Sequence, residues 1–421
     1  MLLPILLRKR MRIIPSQSNS QSMKKTAMFL FLLFAGMSTF AQKAKVKSAF
    51  NYYKEPYQQY DKAKEAIDEA VANEQTKNSA EAWYYRGIIY AALYKNATYG
   101  ALCDRCLQTA YESYKKSLEL DPKSNYAIEI SALRIPYLTN QVFKEGVDFF
   151  NIGNFDKALE SFELVQVMVP NDTSAVTNAA FSAERAGNTE KAKLYVEKLL
   201  SMGVTDPDQF ITLSNLYRNS GDTTKALEVI RNGRKVNPDT LSLMYSEINL
   251  LLAMDRSQEA TDVINSALAK DPGNESLYLV LGTNYDKLAN PKDASGKDLP
   301  KPANSAEMND KAVEVYKRGI AQIPNSYALN FNLGAFYFNL AADQNNAANK
   351  IKSPAESDKV RALATQNFKN SQPYLEKAME SNPKTNEDDI AIYNSTMSSL
   401  KEVYARTNQT EKYQKISDQM K

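Results

Sequence analysis

The chain has 421 residues, with 52 Lys+Arg against 49 Asp+Glu, two cysteines and no histidine. Without histidine there is no Ser-His-Asp or Cys-His nucleophile system, no histidine general acid–base group and no histidine metal ligand; two cysteines are too few for a four-thiolate zinc or iron–sulfur site within one chain. A net charge of +3 with no basic face leaves no electrostatic footprint for nucleic acid.

Residues 1–22 (MLLPILLRKRMRIIPSQSNSQS) resemble nothing a folded domain uses and are read as an upstream leader or as a start misassigned ahead of Met23. Residues 23–41 hold Lys24-Lys25, the apolar run Ala27 to Ala35, and small Thr39 and Ala41 at the third and first places before Gln42. That is the pattern of a cleaved secretory signal, and the apolar run is too short to span a bilayer. The first 41 residues contain six basic and no acidic side chains, which leaves 46 basic against 49 acidic for the remainder. No cysteine follows the apolar run to carry a lipid anchor. The expectation is export, to the periplasm first and to the cell surface or medium otherwise, with no transmembrane segment in the mature chain.

Residues 42–78 read as a polar, alanine-rich helix pair, with Phe50 in its first helix and Ala63, Ile67 and Ala70 in its second, suited to cap a stack. Residues 79–138 hold a second pair with 13 surplus residues, most of them between Tyr90 and Ala110, followed by KSNYAIEISALRIPYL, read as an additional helix broken near Pro136. Residues 139–272 hold four contiguous pairs, in which Ala158, Ala192, Ala226 and Ala260 recur every 34 residues. The clearest runs from Phe210 to Pro238. Phe210, Leu213 and Tyr217 keep helical spacing, Gly221-Asp222 makes a turn, and Ala226, Ile230 and Gly233 line a second helix. Residues 273–384 hold two pairs with insertions: a proline-, glycine- and lysine-rich loop (ANPKDASGKDLPKPANSAE), and a stretch from Ala341 to about Asn370 read as a lengthened second helix. Residues 385–421 close the chain with a C-terminal cap.

A fixed stride of this length, built from helix–turn–helix units, resembles the tetratricopeptide repeat (TPR). Gly87, Gly146, Gly282 and Gly334 fall at the eighth place of the first helix (helix A), where a missing side chain admits the partner helix. Tyr114, Phe162, Ile230, Ile264 and Tyr316 follow the alanine of the second helix (helix B) by four residues and plug the core. Pro122, Pro170, Pro238, Pro272, Pro324 and Pro383 stand where helix B must stop. The resemblance implies an all-α solenoid of about nine stacked helix pairs forming a superhelix, and the Ala-Gln at the end of the leader resembles exported proteins of Bacteroidota-type bacteria.

In this family helix A lines a concave surface that receives extended peptides. Its inward positions fall here on Tyr84, Phe143, Phe150, Asn151, Phe181, Arg185, Asn215, Arg218, Asn219, Tyr245, Asn249, Asp286, Phe331, Phe338 and Asn339. Asparagine both donates to and accepts from a peptide backbone, and aromatic faces supply apolar area; for any one aromatic, packing between repeats is the equal alternative. Chaperone-binding members resemble one another in a lysine at position five, whereas this chain places Tyr84, Phe143, Thr177, Ile211, Tyr245, Leu279 and Phe331 there, so no carboxylate clamp is expected.

Cys103-Asp104-Arg105-Cys106 is the one candidate for chemistry. In an oxidising compartment the spacing suits a small disulfide; free or metal-trapping thiols and a working redox pair are the other readings, and the βαβ context of thioredoxin-like motifs is missing. Asp222-Thr223-Thr224 and Asp239-Thr240-Leu241 resemble short O-glycosylation acceptors but are read as helix caps. The resulting expectation is a non-enzymatic scaffold, without cofactor or metal, that binds a partner protein or peptide; a thiol–disulfide protein and a structural component of an envelope assembly are the rivals.

Overall fold

The computed structural model of the protein describes residues 44–293 and 295–420. The leader at 1–22 and the secretory signal at 23–41 lie outside the described residues.

The chain divides into two compact units, one ending at Met202 and the other beginning at Gly203. The first contains the helix over residues 44–53 (α1), α2 (Tyr60–Ala72), α3 (Ala80–Leu93), α4 (Cys106–Leu120), α5 (Asn125–Glu129), α6 (Ile135–Asn151), α7 (Phe155–Met168), α8 (Thr173–Arg185) and α9 (Thr189–Ser201). The second contains α10 (Pro207–Asn219), α11 (Thr223–Val236), α12 (Leu241–Ala253), α13 (Ser257–Lys270), α14 (Glu275–Ala289), α15 (Ser305–Gln322), α16 (Tyr327–Ala348), α17 (Pro354–Ser381), α18 (Glu387–Arg406) and α19 (Thr410–Gln419). Among the described residues these make nine antiparallel pairs, four in the first unit and five in the second. The protein is an all-α solenoid of stacked helix pairs; an isolated bridge between Lys292 and Asp298 is the nearest approach to a strand among the described residues.

The stride sets the helix boundaries. Helices α7, α9, α11 and α13 begin at Phe155, Thr189, Thr223 and Ser257, each 34 residues after the last. Proline ends them: α4, α7, α11, α13, α15 and α17 each stop two residues before Pro122, Pro170, Pro238, Pro272, Pro324 and Pro383. Proline offers no N–H and forces the preceding residue out of the helical region, so the helix ends there. Helix α9 has no such proline, and Gly203 with φ +86° follows its end instead, the left-handed residue that commonly closes a helix. Asn154, Asn188 and Asp222 cap α7, α9 and α11 by accepting from the N–H three residues on. Asp222 is therefore the cap it was expected to be. Thr240 occupies the corresponding place before α12 but makes no side-chain cap bond.

Packing within a pair is a matter of matched volumes. A Cβ built on Gly87 would lie 2.3 Å from the Tyr114 ring, one on Gly146 2.9 Å from Phe162, one on Gly282 2.4 Å from Tyr316, and one on Gly334 2.7 Å from Leu375. Where position eight carries a side chain (Ala180, Ser214, Ile248), the matching plug shrinks to Val196, Ile230 and Ile264. At Ala180 and Ser214 the smaller plug offsets the added side chain, as a close-packed core requires, whereas Ile248 with Ile264 is bulkier than any glycine-containing pair.

Two insertions differ from their sequence reading. The surplus after Pro122 is not a separate helix broken at Pro136: α5 runs through a π turn (Ile130–Arg134) directly into α6, making one rod over 125–151. Proline at 136 cannot donate to the fourth carbonyl before it and would crowd that group. The preceding turn widens, with Ile135 N–H bonding Ile130 O, and the helix continues. The surplus after Ala341 lengthens both helices of its pair, 22 residues in α16 and 28 in α17, where sequence placed it in the second alone. The loop segments over 290–293 and 295–304 are irregular, as their proline content required.

Candidate functional site

The helix-A positions expected to face a ligand fall into three groups. Asn151, Phe181, Arg185, Asn215, Arg218, Asn219, Asn249 and Asn339 are exposed. Phe143, Phe150, Tyr245, Asp286, Phe331 and Phe338 are half-buried. Tyr84 is buried, at 5% exposure.

Tyr84 is therefore core and not groove. The rod over 125–151 covers it: the Tyr126 ring lies 4.6 Å from the Tyr84 ring, and the Tyr126 hydroxyl donates to Glu81 Oε1 at 3.1 Å. Beside it Arg134 donates to Glu129 at 2.6 Å. Burial, followed by the hydrogen bond to Glu129, pushes the Tyr84 hydroxyl up to about 12. Sequence reasoning missed this cover because it stopped the helix at Pro136. The signal was the apolar spacing of Ile130, Leu138 and Val142, which runs unbroken across the proline, and all three are fully buried.

Several half-buried aromatics serve packing on one side. Phe143 meets Phe162 edge-on at 5.3 Å, Phe150 meets Phe155 at 5.2 Å, and Phe338 meets Phe368 at 5.5 Å. Each leaves part of its surface to solvent. In the second unit the polar members stand clear: among the described residues no side chain pairs with Asn215, Arg218, Asn219 or Asn249. Tyr245, one turn before Asn249 on α12, is held in place. Its hydroxyl accepts from Asn274 Nδ2 at 3.0 Å and donates to Asp271 Oδ2 at 3.4 Å. Asp286 and Asn339 line a cavity of about 300 Å³ with Asn290, Lys301, Phe336 and Asp343. Asp286 there accepts from Asn290 Nδ2 at 2.7 Å.

Cys103 and Cys106 carry free thiols, the first half-buried and the second buried. Cys103 has extended backbone after a 3-10 turn, whereas Cys106 opens α4 and turns its Sγ onto the Cys103 carbonyl at 2.9 Å. Burial, then the Cys103 thiol beside it, pushes the Cys106 thiol far up from its ordinary value. A thiol held protonated is a poor nucleophile, the opposite of what a working redox pair needs.

Residues 58–98, which cover α2 and α3, match the family model described as a tetratricopeptide repeat. That segment is a tetratricopeptide repeat. Such repeats form a scaffold for protein–protein interaction. A stretch of 207 residues is 24% identical to human protein O-mannosyl-transferase TMTC3, covering 45% of this chain and 22% of that protein. The chain thus spans about a fifth of the length of that curated relative. Among solved structures, a tetratricopeptide-repeat protein from Parabacteroides merdae is 17% identical, with 62% of this chain and 98% of that one covered and a TM-score of 0.35. YrrB, titled as a TPR protein with an unusual peptide-binding site, is 16% identical over 51% of this chain and 94% of its own, at 0.32. MamA is 18% identical over 49% and 94%, also at 0.32. No helix among the described residues is long and apolar enough to cross a membrane.

Proposed function

We propose that this TPR protein is a non-enzymatic scaffold that holds an extended segment of a partner protein against its helix-A faces in the cell envelope. The observation that carries this reading is the pair Asn215 and Asn249, position nine of consecutive helices α10 and α12. Both are exposed and bonded to no other described side chain. Each amide can accept one backbone N–H and donate to one carbonyl, and a spacing of one repeat suits the regular polar groups of an extended chain. Tyr245, one turn before Asn249, is already oriented by Asn274 and Asp271, so less side-chain freedom is lost when a peptide lies across its ring. The chemistry of the rival reading is disfavoured by the burial of Cys106, whose Sγ is turned onto the Cys103 carbonyl. The envelope location rests on the signal pattern at 23–41.

The test is binding of immobilised peptide arrays to the purified chain. Asn215→Ala with Asn249→Ala should weaken peptide binding at least tenfold while changing stability by less than about 0.5 kcal/mol, as exposed substitutions do. Undiminished binding by this double variant would overturn the reading.

A further inference from the structure

The turn before α13 is built unlike the turns before α7, α9 and α11. Asn154, Asn188 and Asp222 cap those three helices with a side-chain oxygen. The same place in the stride, 34 residues after Asp222, is Arg256, which makes no cap bond. The N–H groups of Ser257, Gln258 and Glu259 therefore meet no acceptor among the described residues. Three unbonded donors and the positive end of a 14-residue helix point the same way.

Water satisfies an ordinary helix start, but this one borders a cavity of about 410 Å³ whose wall includes Ser257. Ser257 is 7% exposed, and its hydroxyl bonds no described group, although its carbonyl accepts from Asn284 Nδ2 at 2.8 Å and from Thr261 Oγ1 at 3.1 Å. A polar side chain this buried ordinarily has a partner, and the surface Ser257 keeps lies on the cavity wall. The charged residues of the wall are Arg256, Lys287 and Lys292 against Asp255 and Glu259. Both carboxylates are engaged, Asp255 by Lys287 at 2.6 Å and Glu259 by Arg256 at 2.6 Å and Arg231 at 2.7 Å. Donors are what the wall has to spare. Arg256 bonds Glu259 through Nε and Nη2 and leaves Nη1 uncommitted, and Lys292 meets Asp298 only at 3.4 Å.

We propose that this cavity binds a phosphate group, free or as a monoester. Its oxygens take the N–H groups of the first turn of α13 and the Ser257 hydroxyl, while Arg256 and Lys292 balance its charge. The donors reach the cavity from the helix end, from a side chain of its first turn and from the wall. A tetrahedral dianion can use all of them together, whereas a carboxylate has one charge and two oxygens in one plane. The proposal does not depend on the groove reading, since it uses none of the same residues.

Isothermal titration calorimetry of the purified chain with inorganic phosphate, at constant ionic strength and neutral pH, tests it. The expected result is saturable binding of one phosphate per chain, with acetate bound about tenfold more weakly or not at all. Ser257→Ala should weaken phosphate binding about tenfold, the worth of one hydrogen bond to a charged group. Arg256→Asn gives α13 the cap of α7 and α9 at a backbone geometry close to theirs, so its own side chain occupies the N–H groups and binding should be lost with circular dichroism unchanged. Lys270→Ala, at the other end of α13, should leave binding as it is. Glycerol 3-phosphate distinguishes the sources: tighter binding than phosphate assigns the site to a monoester, weaker binding to the free ion. No saturable binding, acetate bound as well as phosphate, binding that survives both Ser257→Ala and Arg256→Asn, or an equal loss with Lys270→Ala would each overturn the proposal.

Discussion

Helices α3 and α12 carry tyrosine at the same repeat position, Tyr84 and Tyr245, and the two side chains have different fates. Tyr84 is buried under Tyr126, with its plug Tyr114 seated on Gly87. Tyr245 is half-exposed, its hydroxyl held by Asn274 and Asp271, and the helix pair beneath it is closed by Ile248 and Ile264. Register within the repeat decides which way a side chain points. What covers it is decided by the neighbouring chain, here a rod that follows α4 and has no counterpart after α13.

Substitutions can sharpen that contrast. The largest effect is expected from Tyr84→Ala, about 3–5 kcal/mol as for other fully buried aromatics, against about 1 kcal/mol for Tyr245→Ala, where solvent already reaches the ring. Thermal or urea unfolding measures both; equal losses would show that Tyr84 is not covered. Next comes Gly87→Ala, whose Cβ would meet Tyr114 at 2.3 Å, with a cost of about 1–3 kcal/mol for overpacking. Adding Tyr114→Ile, the plug used opposite Ile248, should recover part of that loss in a double-mutant cycle. Additive losses would break the volume-matching account.

The smallest effect is a pH slope. The Tyr84 hydroxyl is pushed up to about 12 in the folded state, while an unfolded tyrosine ionises near its ordinary value of 10.0. Above that value the unfolded chain binds fewer protons than the native one, so this contribution to stability, complete at lower pH, declines as pH rises from about 10 toward 12. Tyr84→Phe should flatten that decline more than Tyr245→Phe, since Tyr245 is raised without being buried to the same degree. Equal slopes for the two variants would count against the cover.

The helix ends were legible because each rests on a local cause. Proline two residues on, a capping Asn or Asp, and a left-handed glycine act within one turn of chain, and Pro238, Asn188 and Gly203 illustrate the three. The exposed asparagines were legible for the same reason, since repeat register fixes the outward face of α10 and α12. Tyr84 was not, because the residues that bury it lie some 40 positions away, beyond a proline that reads as a break.

By itself the sequence determined the fold class, the 34-residue stride and the places where helices begin and stop, because those follow from backbone sterics and from which small residues face which large ones. Only the tertiary structure decided that the rod continues through Pro136, that it roofs Tyr84 while baring Ile128, Leu133 and Tyr137, and that Cys106 is buried against Cys103 as a free thiol. Burial depends on contacts between segments far apart in the chain, and a repeat pattern specifies its own neighbours but not what an insertion will lie upon.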